Sequence, residues 1–180
     1  MPGAVFLADD HVELRTRERE DANFRRDHVN DPALRHMLGT KRPQNLVYEE
    51  AAIESTSDDR DAIRLIICED GVAVGHVVLW IHDWIVGSAE IGIWVIPNAQ
   101  GRGIGRATVS LVVSYGIEQL NLHRITAESI HATNEASIGL FESMGFSREA
   151  HRRDAAFVDG EFVDVFDYAV LAPDWRANMH

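Results

Sequence analysis

Several features that mark other protein classes are missing from this sequence. Cys68 is the only cysteine among the 180 residues, so an intrachain disulfide is excluded. Its position directly after two isoleucines predicts a buried thiol in a strand. No apolar run approaches the length of a membrane span, and the N-terminus lacks the basic-then-apolar layout of a signal peptide. These absences predict a soluble, cytoplasmic protein.

Lysine is almost absent, and the balance of charge is strongly negative. Lys41 is the only lysine, so arginine supplies nearly all of the 17 basic residues, and the formal net charge is −12 at pH 7. An acidic surface repels polyanions such as nucleic acid and attracts cations such as an amine or a basic peptide. An acidic surface with few lysines also suits a protein that works in high salt, where screening removes long-range steering. Both explanations stay open.

A glycine-rich turn follows an apolar strand and precedes a helical pattern, over residues 90–107 (EIGIWVIPNAQGRGIGRA). Such a turn lets backbone N–H groups converge on a phosphate, and the helix behind it adds the positive end of its dipole. It is not a P-loop, because no Gly-Lys-Ser/Thr follows. It is not the dinucleotide fingerprint either, since the sixth position is Arg106 counted from Gly101 and Thr108 counted from Gly103.

The pattern that remains is Gln100-x-x-Gly103-x-Gly105 between a strand and a long helix. It resembles the pyrophosphate loop of the GNAT family of acetyl-CoA-dependent N-acyltransferases. The resemblance implies that acetyl-CoA is the co-substrate and that its pyrophosphate binds the loop N–H groups and the helix terminus, with an arginine adding charge. The residues assigned to this loop are Gln100, Gly101, Arg102, Gly103, Ile104, Gly105 and Arg106.

Three further stretches resemble the RimJ/RimL branch of that family: residues 12–21 followed by 30–35, residues 134–146 (NEASIGLFESMGF) and residues 153–168 (RDAAFVDGEFVDVFDY). In that branch the first stretch forms a helical pair that makes one wall of the acceptor site. A solvated amphipathic helix pair is the alternative for it. The matches occur in order along the chain, and we predict a single domain over residues 10–175 with terminal tails at 1–9 and 176–180.

The order of elements predicts an α+β fold. Apolar, β-branched runs at 62–69 and 72–81 flank Asp70-Gly71, and a second Asp-Gly pair separates the last two strands, as in β-hairpins. The pattern reads strand, helices, three strands, helix, strand, helix, two strands. This predicts one central, mostly antiparallel mixed sheet flanked by helices. The resemblance implies the GNAT fold, in which the strand before the loop and the strand at 123–128 splay apart around the pantetheine arm.

The strand that leads into the loop carries the candidate base. Alternation places Glu90 on one face of the strand with Gly92 and Trp94. A carboxylate among apolar neighbours has a raised pKa. Such a group accepts a proton from an amine, directly or through water. A solvent-facing strand residue is the alternative. The resemblance implies that the backbone at Ile93 and Val95 is distorted and pairs with pantetheine and the thioester carbonyl. Their side chains are predicted to be core.

The second motif supplies the other candidates. Asn134 by resemblance bonds the pantetheine arm, with a helix N-cap as the alternative. Many GNAT enzymes carry a Tyr as general acid four residues before the Gly-Phe glycine, but here that position is Phe141, which cannot donate a proton. The acid is therefore Ser137 or a water, and a helix-surface serine is the alternative for Ser137. No His/Cys/carboxylate spacing suggests a metal site.

The resemblance implies an N-acetyltransferase in which a primary amine attacks the acetyl thioester directly, with both substrates bound. The predicted acceptor is a protein N-terminal α-amine, because its pKa of ~8 makes deprotonation easier than for a lysine or polyamine at ~10. Two alternatives stay open: a small-molecule amine acetyltransferase, acting on a polyamine, amino acid or aminoglycoside, and a non-catalytic acyl-CoA-binding module. A monomer or homodimer is expected, with no nucleic-acid or membrane partner.

Overall fold

The computed structural model describes residues 3–178. The strands are β1 Val5–Ala8, β2 Glu13–Thr16, β3 Ala62–Glu69, β4 Val72–Asp83, β5 Ser88–Val95, β6 Arg124–His131, β7 Ser147–Val158 and β8 Glu161–Leu171. The helices are α1 Ala22–Val29, α2 Pro32–Arg35, α3 Leu46–Ser55, α4 Ile104–Gln119, α5 Glu135–Ser143 and α6 Ala172–Asn178, with 3-10 turns at Arg19–Asp21 and Pro97–Ala99.

The eight strands form one sheet in the order β1-β2-β3-β4-β5-β6-β8-β7. β5 and β6 pair in parallel, whereas β1 with β2, β2 with β3, β6 with β8 and β7 with β8 pair antiparallel. The predicted α+β fold with a mostly antiparallel mixed sheet is confirmed. No helix within residues 3–178 combines the length and the apolar character needed to cross a bilayer.

The chain forms two compact units. The first contains the chain up to Val78 together with residues 93–111, and the second contains residues 79–92 with the chain from Val112 onward. In the first unit, β2 pairs with β3 in the register Leu14 to Ile67, and both side chains are fully buried. Cys68 is fully buried as well, and burial raises the pKa of its thiol to about 11. The predicted buried strand thiol is confirmed.

The Asp-Gly turns are formed as the sequence predicts. Asp70 and Gly71, between β3 and β4, have φ angles of 51° and 75°. Asp159 and Gly160, between β7 and β8, have φ angles of 50° and 91°. Two consecutive residues with positive φ are the mark of a type I′ turn, whose twist matches that of the flanking strands.

In the second unit β8 lies between β6 and β7, and the fully buried core side chains include Ile125 and Tyr168. The parallel pairs of β5 with β6 among the described residues run from Ser88 with Arg124 to Glu90 with Thr126. β5 itself continues to Val95. The resemblance implied that β5 and β6 splay apart around the pantetheine arm, and this stays a prediction.

One element lies in a segment predicted to be a tail, and a second extends into the other such segment. β1 is an edge strand with three of its four residues exposed, so it lacks the apolar alternation that marks a buried strand. Helix α6 continues to Asn178 and is anchored by the buried Trp175, whose Nε1 donates to Ser114 Oγ at 3.2 Å. Neither element has a periodic pattern long enough to predict.

β6 is longer than predicted because it contains a bulge. Its register with β8 shifts between Ala127 and Ile130, and Ser129 has a φ of 57°. A bulge adds an unpaired residue and interrupts the two-residue alternation. The prediction therefore ended the strand at Glu128, whereas the strand continues to His131.

Candidate active site

The glycine-rich loop joins the 3-10 turn Pro97–Ala99 to helix α4. Gly101 and Gly103 have φ angles of 74° and 83°, and a Cβ at either position would have no atom within 4 Å. Glycine is thus required by backbone conformation, and the space beside the loop is open. Gly105 lies in the first turn of α4, where N–H groups lack intrahelical partners. An exposed loop with these N–H groups fits a pyrophosphate.

Side chains of the loop hold it in place. Gln100 Nε2 donates to the carbonyl oxygen of Val95 at 2.8 Å, which ties the loop to the end of β5. Arg102 Nη1 lies 3.0 Å from Glu69 Oε2, so its charge is already paired. Arg106 lies on the first turn of α4, and its side chain is exposed. The structure therefore gives Gln100 and Arg102 a role in loop conformation besides the predicted contact with a cofactor.

The backbone of β5 before the loop packs closely on β4. A Cβ at Gly75 would lie 2.4 Å from the carbonyl oxygen of Trp94 and 3.2 Å from Val95 Cα, so only glycine fits there. Val95 is buried as predicted, but Ile93 is only half-buried, and the predicted core position for its side chain is wrong. The alternation fails because Gly92, Ile93 and Trp94 are all partly exposed. This is the stretch where the resemblance implied a distorted strand.

Glu90 is a half-buried carboxylate in an acidic neighbourhood. Burial is the largest cause of its raised pKa, and the negative charges of Glu128 and Asp167 raise it further. His82 acts in the opposite direction, with its Nε2 3.4 Å from Glu90 Oε2. Thr126 Oγ1 donates to Glu128 Oε1 at 3.0 Å. The predicted direction of the pKa shift is confirmed, and the role of Glu90 as base stays a prediction.

Asn134 caps helix α5. Its Oδ1 accepts a hydrogen bond from the backbone N–H of Ser137 at 3.1 Å, which is the alternative that the sequence left open. The Nδ2 group takes no part in this bond. Ser137 is half-buried in the first turn of the helix. Phe141 is buried and packs edge-on against Phe146, with 5.0 Å between the ring centroids, so the position of the missing Tyr is part of the core.

We expect Ser137→Ala to lower turnover with little change in acetyl-CoA affinity, because the hydroxyl, and not the capped backbone, would protonate the leaving thiolate. The backbone N–H to Asn134 is kept in this variant, so the helix cap is unchanged. Steady-state kinetics with both substrates varied would measure the effect. The companion variant is Phe141→Tyr. If the proton comes from Ser137 or water, a tyrosine at position 141 is not required for activity. An unchanged turnover in Ser137→Ala would assign the proton to water.

The predicted residues fall into two groups. The loop, Ile93 and Val95 belong to the first unit, whereas Glu90, Asn134 and Ser137 belong to the second. The sequence did not reveal that His82 and Glu128 surround Glu90, because neighbours on other strands depend on register. Within residues 3–178 no cluster of three or more His, Cys, Asp or Glu side chains could hold a metal ion.

Comparison with known proteins identifies the family. A family model described as an acetyltransferase (GNAT) domain matches residues 11–147. Spermidine N(1)-acetyltransferase of Escherichia coli (strain K12) is 25% identical over 167 residues, covering 93% of this chain and 89% of that protein. YdaF of Bacillus subtilis (strain 168), named as a proposed ribosomal N-acetyltransferase, is 32% identical over 120 residues, and the match spans 67% of this chain but only 65% of that protein.

A solved structure agrees with these relatives. Spermidine N-acetyltransferase from Vibrio cholerae in complex with CoA and spermine superposes with a TM-score of 0.86 at 25% identity, covering 93% of this chain and 99% of that chain. The assignment to the RimJ/RimL branch stays a prediction. The chain belongs to the acetyltransferase (GNAT) domain family, and its predicted activity, acetyl-CoA-dependent N-acetylation, is confirmed at that level.

Proposed function

We propose that this chain transfers an acetyl group from acetyl-CoA to a small-molecule primary amine, the class that contains polyamines, amino acids and aminoglycosides. The observation that supports it is the match to spermidine N-acetyltransferases over nearly the whole of both chains. The relative named for ribosomal proteins matches a smaller share of either chain. The comparisons thus favour the alternative over the protein N-terminal α-amine that the sequence predicted.

The electrostatics of the chain are compatible with a basic acceptor. Its formal charge of −12 attracts an amine, which arrives mostly as a cation at neutral pH. Around Glu90 the charges of Glu128 and Asp167 add to this attraction. A cationic amine must lose a proton before it can attack a carbonyl carbon, and a carboxylate with a raised pKa is suited to take it.

The proposed mechanism is direct transfer. Acetyl-CoA supplies an acetyl group already activated as a thioester. Loop residues 100–106 bind the pyrophosphate through backbone N–H groups, and the backbone at Ile93 and Val95 orients the thioester. Glu90 takes the proton from the amine nitrogen, directly or through water, as the nitrogen bonds to the acetyl carbon and the carbon–sulfur bond breaks. Ser137 or a water then protonates the thiolate.

A screen of acceptors tests the proposal. We expect at least one small amine, drawn from spermidine, spermine, amino acids and an aminoglycoside, to give a higher kcat/KM than peptides with a free N-terminus. Release of CoA and mass spectrometry of the product would measure it. Faster acetylation of peptides would restore the α-amine assignment. Binding of acetyl-CoA without any acetylated product would instead indicate a non-catalytic module.

Running the same screen at low and high salt separates the two explanations of the acidic surface. If the negative charge steers a cationic acceptor, kcat/KM falls as salt is added, because screening shortens the reach of the field. If the surface is an adaptation to high salt, activity and stability both rise with salt.

A further inference from the structure

A polar cluster in the first unit contains three arginines, one of which has no ion pair among residues 3–178. We call it the arginine cluster, and its members are Arg17, Arg25, Arg64, Glu49 and His76. Arg25 Nε bonds Glu49 Oε2 at 2.9 Å, and Glu49 is fully buried. Arg64 Nη2 lies 2.8 Å from a carboxylate oxygen of Asp59. Two of the three guanidinium groups therefore have an ion pair.

Arg17 is the third guanidinium, and it has no such partner. It donates to the hydroxyl oxygen of Thr56, and no carboxylate of residues 3–178 lies within ion-pair distance of it. Burial, together with the charges of Arg25 and Arg64, lowers the pKa of Arg17 to about 10. The side chain is still a cation at neutral pH. A partly buried cation without an anion is unfavourable, and a bound anion relieves the cost.

Two carboxylates oppose this charge without pairing with Arg17. Glu49 raises the pKa of Arg17 but is bonded to Arg25, and its Oε1 has no hydrogen-bond partner among the described residues. Asp21 also raises it, but Asp21 Oδ2 accepts the backbone N–H of Glu18 at 2.8 Å. Neither carboxylate satisfies the guanidinium of Arg17 by contact.

His76 adds a second polar group without a partner. It is only 7% exposed, and within residues 3–178 its Nε2 has no hydrogen-bond partner. Burial, followed by the charges of Arg25, Arg17 and Arg64, lowers the pKa of His76 well below its ordinary value. The imidazole is therefore neutral, and in the tautomer with a proton on Nε2 it is a neutral donor.

The cluster is connected to the strand that precedes the glycine-rich loop. The His76 ring lies 6.1 Å from the Trp94 ring, and Trp94 stacks on Phe24 at 5.6 Å with 19° between the planes. Trp94 stands between Ile93 and Val95, the backbone proposed above to orient the thioester. An acceptor directed at the thioester would thus have this apolar ring surface and His76 beside it.

We propose that Arg17, assisted by His76, binds an anionic oxygen group of the acceptor, so that the acceptor is a small amine that also carries a carboxylate or a phosphate. This inference rests on the proposed function and narrows its substrate class. A guanidinium and a neutral N–H donor suit an anionic oxygen, and charge-assisted hydrogen bonds are the stronger kind. The second ammonium of a polyamine would instead meet like charge at this position.

Matched pairs of acceptors that differ only in the anion test the inference. The carboxylate pairs are 4-aminobutyrate with butylamine and phenylalanine with phenethylamine, and the phosphate pair is O-phosphoethanolamine with ethanolamine. We expect the anionic member of at least one type of pair to have a kcat/KM about 10–100-fold higher, the size of one charge-assisted hydrogen bond. The type of pair that responds identifies the anion.

Arg17→Gln should remove this preference by raising KM for the anionic acceptors, while KM for acetyl-CoA and the rates with the paired amines that lack the anion stay unchanged. The matched control is Arg26→Gln, the same change in α1 at a residue whose ion pair is with Asp27, and it should keep the preference. Arg17→Lys keeps the charge but loses the planar guanidinium, so it should weaken the preference for anionic acceptors. This variant tests the inference if Arg17→Gln does not fold.

The inference is overturned if no pair shows a preference in the wild-type protein, or if Arg17→Gln and Arg17→Lys both keep it. In either case small amines would still be acetylated, and the proposed function would stand. Acetylation of peptides alone would overturn the proposed function, and this inference with it.

Discussion

Glu90→Gln is expected to lower turnover by about 10²–10⁴-fold, the usual contribution of a general base, with little loss of acetyl-CoA binding. The substitution keeps the shape of the side chain and removes its charge and its ability to accept a proton. Burial and the nearby charge of Glu128 raise the pKa of Glu90, which brings it closer to the pKa of an amine than an ordinary carboxyl group. Steady-state kinetics across pH would measure the loss.

The pH dependence separates a base from a structural carboxylate. The base acts when ionised, so wild-type activity should fall as pH drops through the raised pKa of Glu90. The deficit of Glu90→Gln should shrink as pH rises toward the pKa of the acceptor, because more of the amine is then already neutral. Near-normal rates for this variant at every pH from about 6 to 9 would contradict a base at this position.

Two neighbouring variants control the interpretation. Glu128→Gln removes a negative charge that raises the pKa of Glu90, so the acid limb of the pH–rate profile should move to lower pH. His82→Gln removes the group that lowers this pKa, so the limb should move to higher pH. Opposite shifts of the acid limb of the pH–rate profile in the two variants would show that this limb reports the ionisation of Glu90.

Gly105→Glu is expected to abolish the stabilisation of the protein by acetyl-CoA. At a concentration a hundredfold above its dissociation constant, a ligand that binds only the folded state stabilises it by ~2.7 kcal/mol. The substitution adds bulk and a negative charge in the first turn of α4, where the N–H groups would receive the pyrophosphate. Thermal unfolding with and without acetyl-CoA measures the difference.

Gly105→Ala is the matched control at the same position. The loop pattern of the family has glycine or alanine at this position. The stabilisation of the protein by acetyl-CoA should therefore persist in this variant. The unliganded variant should stay folded, because alanine is favoured over glycine in helices. Equal ligand-induced shifts in wild type and Gly105→Glu would contradict the assignment of the loop.

Local signals explain what the sequence could predict of this fold. Asp70-Gly71 determines its turn because both residues adopt positive φ readily, and Asn134 caps α5 through a bond three residues away. The glycine-rich loop is likewise a short contiguous pattern. Such features depend on a few neighbouring residues, so they can be predicted from the sequence.

The remaining features depend on residues far apart in the chain. Whether Glu128 lies near Glu90 follows from the register of β6 on β5, which composition does not encode locally. The arginine cluster joins Arg17, Arg64 and His76 from three separate segments. β1 was missed because an exposed edge strand is held by backbone hydrogen bonds, which any sequence can form.

The burial of Cys68 has a practical consequence for enzymology. This side chain is the only thiol of the protein, and it is inaccessible and protonated at neutral pH. A thiol-reactive dye reacts with thiolates, so in an assay of native protein its colour would report released CoA without a background from the enzyme. The same dye, added without substrate, would react only as the core of the first unit opens, so one reagent can follow both turnover and unfolding of each variant.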